Sequence, residues 1–183
     1  MSEALARAAE AVLAGGVIAY PTETVYGLGC LPDNEAALRR LIAIKGRDAD
    51  KGFILLAATI EQLMPYTAEL DSEAWQRIAT PQARATTWTV PAPTGISPLL
   101  TGGRSRIAVR ITHHAPTRDL CRTIGSALVS TSANFSGEAP VKRADALPLE
   151  LVEQLDYLLE GPCGDDPRPS RIVDLETGRI LRQ

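Results

Sequence analysis

Four basic side chains and two clusters of small polar groups are the residues of this chain whose types and spacing can do chemistry. Lys45-Gly46-Arg47 sets two cations either side of a glycine, with Lys51 close behind. Ser130-Thr131-Ser132-Ala133-Asn134-Phe135-Ser136-Gly137 crowds hydroxyls and an amide together, groups that donate to phosphate oxygens without adding bulk. Tyr20-Pro21-Thr22-Glu23-Thr24-Val25-Tyr26-Gly27-Leu28-Gly29 packs polar and aromatic residues between a proline and two glycines. Pro21 keeps Tyr20 extended, and Gly27 and Gly29 permit turns or a close backbone approach to a ligand. Arg110 interrupts the apolar run Ile107-Ala108-Val109-Arg110-Ile111, so it must either reach water or meet an anion. The chemistry such a set offers is the holding of anions by fixed cations and small donors.

Each group also has a plainer account. The threonines of residues 20–29 suit a hairpin by β-propensity alone, and Lys45 and Arg47 suit a solvated helix C-terminus. Ser/Asn clusters commonly cap turns, and Arg110 on an edge strand could extend to water. Neither Gly-x-x-x-x-Gly-Lys-Ser/Thr nor Gly-x-Gly-x-x-Gly occurs, so a nucleotide would have to be held in another way. His113 and His114 are adjacent, cannot both face one metal from a strand, and read as surface residues.

The bulk composition narrows the classes. At 183 residues, with 45% hydrophobic and 22% charged residues, the chain has the makeup of one globular domain spanning residues 1–183 with a sizeable core. Nineteen Lys+Arg against 22 Asp+Glu, a formal charge of −3, argues against a whole-molecule grip on nucleic acid and leaves room for local basic patches. Cys30, Cys121 and Cys163 are odd in number and widely spaced, supporting neither a disulfide framework nor a zinc site. No signal peptide or membrane span is legible, and the expected location is the cytoplasm.

The positioning elements follow from periodicity. A helix is expected over residues 3–14, ended by Gly15-Gly16, then a buried strand over 17–20 delivering the first polar segment. Asp33-Asn34-Glu35 starts a helix that runs into Lys45. Residues 52–58 read as a buried strand, Thr59-Ile60-Glu61-Gln62 as a capping box opening a short helix, and Asp71-Ser72-Glu73 as the start of another around Trp75. Strands are expected at 84–90 and 107–111, with Gly102-Gly103-Arg104-Ser105-Arg106 between them as a candidate mobile lid. A helix over 116–124 leads to a strand over 127–130 that opens into the Ser/Asn cluster. A helix over 149–155, a strand over 157–159 and a hairpin of 171–175 with 180–182 complete the chain. Interleaved helices and strands with a terminal hairpin argue for a mixed α/β sheet.

Taken together, the three polar segments resemble the signature of the YrdC/Sua5 family, the threonylcarbamoyl-adenylate synthases of tRNA modification, of the single-domain bacterial type. The resemblance covers nearly the whole chain. It implies a YrdC-like twisted mixed sheet with flanking helices around one deep cleft. It implies the formation of threonylcarbamoyl-AMP and pyrophosphate from L-threonine, bicarbonate and ATP, serving N6-threonylcarbamoyladenosine in tRNAs that read ANN codons. It places a catalytic and triphosphate-binding set at Lys45, Arg47, Ser132 and Asn134, further nucleotide contacts at Lys51 and Arg182, and a threonine pocket at Thr24, Arg110, Ser130 and Ser170. Mg²⁺ would arrive bound through the ATP. The implied partners are a downstream threonylcarbamoyl-transferase complex and a contact with tRNA or double-stranded RNA, with no membrane. The carbamate, the threonine carboxylate and the triphosphate that must meet are all anionic, and two like charges about 4 Å apart repel by roughly 4 kcal/mol at an effective dielectric near 20, so fixed cations are what the reaction needs. No side-chain nucleophile is required.

Two departures from the family pattern stand out. Gln82-Ala83-Arg84-Ala85-Thr86-Thr87 replaces a Trp-Pro-Gly-Pro segment and keeps only its threonine, and Asp48 stands where proline usually follows Lys-x-Arg. The alternatives are an RNA-binding or ribosome-maturation protein using Arg39, Arg40, Lys45, Arg47 and Lys51, or a paralogue with another carbamoyl acceptor.

Overall fold

The continuous apolar runs of this chain become strands buried on both faces. Ile18, Tyr20, Leu56 and Leu128 point into one core while Val17, Ala19, Leu55 and Val129 point into another, the period of two expected of a sheet covered on both sides. The computed structural model describes residues 2–166 and 168–182. Helix α1 (Glu3–Leu13) is capped by Ser2, whose hydroxyl accepts from Leu5 N at 3.3 Å. It packs through Ala8 and Val12 against Leu120 and Ile124 of α5 (Ala115–Ile124). On the other face lies α2 (Glu35–Lys45), its Leu38, Leu41 and Ile44 buried.

The strands are β1 (Ile18–Pro21), β2 (Tyr26–Gly29), β3 (Ile54–Ala57), β4 (Thr86–Pro91), β5 (Arg106–Ile111), β6 (Leu128–Ser132), β7 (Tyr157–Leu158), β8 (Arg171–Asp174) and β9 (Ile180–Arg182). They form one mixed sheet in the order β7-β1-β2-β6-β3-β5-β4-β8-β9. Two sets of pairings bring the polar segments together. β6 lies between β2 and β3, with Gly27 opposite Ser132 and Ile54 opposite Ser130. β5 runs parallel to β3 with Arg110 opposite Leu56. Segments more than a hundred residues apart in sequence thereby share one wall.

The expected mixed sheet with flanking helices is present, and the short α3 (Ser72–Ala79) forms around Trp75 as expected. Four local readings are corrected. No α-helix follows Thr59: the Gln62 side chain accepts from Ala58 N at 2.8 Å and donates to Cys121 O at 2.7 Å, and Pro65 comes soon after, so the box becomes a turn ending in a 3₁₀ segment at Met64–Tyr66. The lid at 102–106 is fastened, because Arg104 donates to Asp50 O and Lys51 O, each at 2.8 Å, and a short helix α4 (Pro98–Thr101) precedes it. The helix at 149–155 shortens to α6 (Leu149–Val152). His113 is exposed, whereas His114 is half-buried, bonded to Thr117 Oγ1 at 3.1 Å and Pro162 O at 3.0 Å, and burial lowers its pKa.

A cationic cavity as candidate active site

The three polar segments converge because local backbone signals stop each element where its side chains are needed. Asn34 starts α2 by accepting from Ala37 N at 2.9 Å, and Gly46, left-handed at φ 56°, stops it directly after Lys45. Beyond, Gly52 at φ 63° turns the chain into β3. Gly29 explains the second glycine of the first segment: a Cβ there would lie 2.0 Å from Val129 O and 2.9 Å from the Tyr20 ring. The close approach expected of that glycine is to the neighbouring strand. Gly27, in contrast, lines the cavity.

The cavity has a volume of about 640 Å³, within the usual range for small-molecule sites. All ten residues proposed from sequence line it: Lys45, Arg47, Lys51, Ser132, Asn134 and Arg182 on one account, Thr24, Arg110, Ser130 and Ser170 on the other. Arg104 and Arg106, which sequence reasoning placed only in the candidate lid, add two more cations to the lining. Among the described residues the wall holds seven Lys or Arg side chains (45, 47, 51, 104, 106, 110, 182) and no Asp or Glu, in a chain whose formal charge is −3.

Lys45 is only 4% exposed, and its Nζ donates to Ser132 O at 2.6 Å, Asn134 O at 2.7 Å and Asn134 Oδ1 at 3.2 Å. The Asn134 amide donates in turn to Phe135 O at 2.9 Å and Glu138 O at 2.7 Å. Lys45 and Asn134 thus shape the Ser/Asn turn before any ligand arrives. Arg47 stacks 4.5 Å over Phe53 and donates to Thr131 Oγ1 at 3.1 Å and to Gly52 O. The hydroxyls of Ser132 and Thr24 make no hydrogen bond among the described residues and remain as donors for a ligand.

A model of the Sua5/YciO/YrdC family, described as "Telomere recombination", matches residues 10–183. The chain belongs to that family. Threonylcarbamoyl-AMP synthase of Thiobacillus denitrificans is 49% identical over 168 residues, 92% of this chain and 89% of that one. The synthase of Vibrio vulnificus is 43% identical over 181 residues, 98% and 97%. Among solved structures, P. abyssi Sua5 complexed with L-threonine superposes with a TM-score of 0.89 at 28% identity, covering 97% of this chain and 53% of that one. This chain therefore spans about half the length of the Sua5 chain it matches.

Within this family member, Arg110 does meet an anion, and the anion is the chain's own. Arg110, 6% exposed, donates from Nη2 to Glu23 Oε2 at 3.0 Å, while Thr112 donates to Glu23 Oε1 at 2.7 Å. Burial pushes the Glu23 pKa up, and Arg110 and Thr112 outweigh it, so the carboxyl lies below its usual range and is ionised. The reading of Arg110 as an edge residue reaching water is thereby overturned. Its Nη1 makes a long 3.5 Å contact with Thr87 Oγ1, which is 3.1 Å from Ser170 Oγ; Arg182 donates to Ser170 O at 2.9 Å and Oγ at 3.2 Å. One polar chain thus joins the β1–β2 loop, β5, β4, Ser170 before β8, and β9. Glu23 and Thr87 escaped the sequence reading as site residues; Glu23 sat in the opening motif and Thr87 was the surviving residue of the altered segment.

The cationic wall costs the fold solvation. Burial first, then Arg47 and Lys51, bring the Lys45 pKa from 10.5 down to about 8. Burial likewise lowers those of Arg47 and Arg182, with Arg104 adding at the first and Arg110 and Arg84 at the second. Such a set of mutually repelling cations, with Lys45 buried and Arg47 half-buried, is suited to polyanions.

Proposed function

We propose that this protein is an L-threonylcarbamoyladenylate synthase, carried by residues 1–183 as a single YrdC-like domain. The observation that supports this most directly is the cavity with seven cations and no carboxylate on its described wall. The names of its relatives, threonylcarbamoyl-AMP synthases at 43–49% identity over nearly their whole length, support the same reading.

The threonine amine condenses with bicarbonate to an N-carboxylate, releasing water; a carbamate oxygen then attacks the ATP α-phosphorus, and pyrophosphate leaves. Lys45, Arg47, Ser132 and Asn134 hold the triphosphate, Lys51 and Arg182 extend along the nucleotide, and Arg110 with Thr24, Ser130 and Ser170 receives threonine. Catalysis is positioning and charge compensation, since several anionic groups must approach one another closely. Hydroxyl partners for the threonine side chain give selectivity over analogues lacking that hydroxyl.

Among the described residues no group of three or more His, Cys, Asp or Glu could hold a metal ion; in this reading Mg²⁺ would come carried by the nucleotide's own phosphates. When bound, it offsets phosphate charge. Among the described residues no helix is long and apolar enough to cross a membrane. The reading places the protein in the cytoplasm, passing its product to a threonylcarbamoyl-transferase complex that modifies tRNA.

The test is pyrophosphate release. Purified protein with ATP, L-threonine and bicarbonate should release it, omission of any one substrate should stop release, and Lys45→Ala or Arg47→Ala should abolish it. Threonine should be preferred clearly over valine and modestly over serine. Absence of release from the complete mixture overturns the proposal; equal rates with valine redirect it to another acceptor.

A further inference from the structure

Among the described residues, Glu23 is the one carboxylate fastened to a cation of the amino-acid end of the cavity, and it lies outside that cavity's lining. It is absent from the residues lining the large cavity, and together with Arg110 it lines a separate hollow of about 160 Å³. Both its oxygens are occupied, Oε2 by Arg110 Nη2 at 3.0 Å and Oε1 by Thr112 Oγ1 at 2.7 Å. Arg110 lines both spaces. A ligand in the cationic cavity therefore meets Arg110 directly, and Glu23 acts on it from behind the lining as the counter-charge of that guanidinium.

We propose that Glu23 is a positioning residue that sets the strength of the carboxylate subsite on Arg110, orienting the guanidinium while cancelling much of its charge. This rests on the reading of Arg110 as the receptor for the threonine carboxylate. The chemistry gives a reason for such tempering. The bound amino acid gains a second negative group when its nitrogen is carboxylated and keeps its carboxylate through adenylation, so a fully charged, buried Arg110 would hold the product more tightly than the substrate. With Glu23 ionised beside it, the pair presents donors without a net charge. Orientation survives, and release is eased.

The pair's two roles separate by substitution. Glu23→Gln keeps the shape and an acceptor for Arg110 Nη2 while removing the charge. At an effective dielectric near 20 the relief of like-charge repulsion about 7 Å across a guanidinium is roughly fiftyfold for the carboxylate alone, and the lost pull on threonine's ammonium offsets part of it, so threonine should bind tighter by about tenfold. Turnover should fall as release slows. L-threoninamide, which lacks the carboxylate and keeps the ammonium, should bind no tighter than to wild type, and ATP should bind within about twofold of wild type. Glu23→Asp, which keeps the charge, should not tighten threonine.

Calorimetric titration of wild type and variants with threonine, threoninamide and ATP decides the matter. A wild-type protein that binds no threonine sinks the functional reading and this inference with it. A wild type that binds threonine beside a Glu23→Gln protein that binds it no tighter, or that tightens threoninamide equally, sinks the inference alone. Should Glu23→Gln fail to fold, the paired variant answers instead. Arg110→Gln leaves Glu23 bare and should weaken threonine binding by more than a hundredfold, and adding Glu23→Gln should recover at least tenfold of that loss. No recovery overturns the proposal.

Discussion

If Lys45 holds the triphosphate as proposed, raising the pH through 8 should loosen the protein's hold on ATP, because that lysine titrates there. Lys45 is 4% exposed, and burial, Arg47 and Lys51 together bring its pKa from 10.5 to about 8. A bound triphosphate favours the ammonium and pushes that pKa back up. Above pH 8 each nucleotide must then carry a proton in with it, and the association constant should fall by up to about tenfold per pH unit until the bound-state pKa is reached. Calorimetry at pH 9 in two buffers of different ionisation enthalpy should count close to one proton taken up per ATP, with a much smaller uptake at pH 7.5. Lys45→Met should bind more weakly, with no such uptake. Stability moves in the opposite sense. The folded-state pKa is depressed, so between about 8 and 10.5 the unfolded chain holds a proton that the folded one has lost. Stability from this group therefore rises with pH across that window, by about 3 kcal/mol in all, and is lost as pH falls through 8. Denaturant titrations of wild type against Lys45→Met isolate it from the other titrating groups. Proton uptake that is absent at pH 9, in a protein that still binds ATP, would refute the placement of Lys45 beside the phosphates.

Two further outcomes rest on the packing of the site. Gly29→Ala would place a Cβ 2.0 Å from Val129 O and 2.9 Å from the Tyr20 ring; backbone on the neighbouring strand cannot yield cheaply, so we expect a loss of about 3 kcal/mol and a Tm lower by roughly 6–12 °C in a thermal melt. A Tm within about 2 °C of wild type would contradict the register of β2 on β6. Thr87→Val keeps the volume of a fully buried side chain but removes the hydroxyl shared with Arg110 and Ser170. KM for threonine should rise about tenfold in steady-state assays, with KM for ATP within about twofold, corresponding to the loss of a buried hydrogen-bonding partner; equal changes in both constants would show that Thr87 serves only the fold.

The sheet was legible where both its faces are buried, because runs such as 52–58 and 127–130 have almost no polar position to confuse the period. The helices were legible through their caps, as at Asn34 and Gly46. The Thr59–Gln62 segment shows why a local signal fails: Gln62 found a better partner across the chain in Cys121 O than in its own helix N-terminus. The candidate site was legible to the extent that motifs announce themselves. Lys45 and Asn134 were both named, but that one grips the other is a consequence of β6 lying beside β2 and β3, which no spacing encodes. Glu23 was hidden for the same reason. An acid in a polar loop looks solvated until β5 and the residue after it deliver Arg110 and Thr112 to its two oxygens.

How the seven cations are held separates this cavity from an ordinary salt-bridge network. Lys45, Arg47, Arg104 and Arg182 are fixed chiefly by backbone carbonyls, those of Ser132 and Asn134, Gly52, Asp50 and Lys51, and Ser170 respectively. The Lys51 ammonium makes no hydrogen bond among the described residues. Only Arg106, on Asp174 and Glu176, and Arg110, on Glu23, lean on carboxylates among the described residues. A carbonyl locks the geometry of a cation while leaving its full charge to act on a ligand; a carboxylate locks it and cancels the charge. The cations assigned to the triphosphate in the proposed function are thus held without a direct carboxylate ion pair, as suits a polyanion, and the arginine assigned to the amino acid is tempered by one, as suits a single carboxylate. On the proposed function, that difference in counter-group would divide the labour between ATP and threonine, and exchanging the counter-groups should exchange the charge preference of each end.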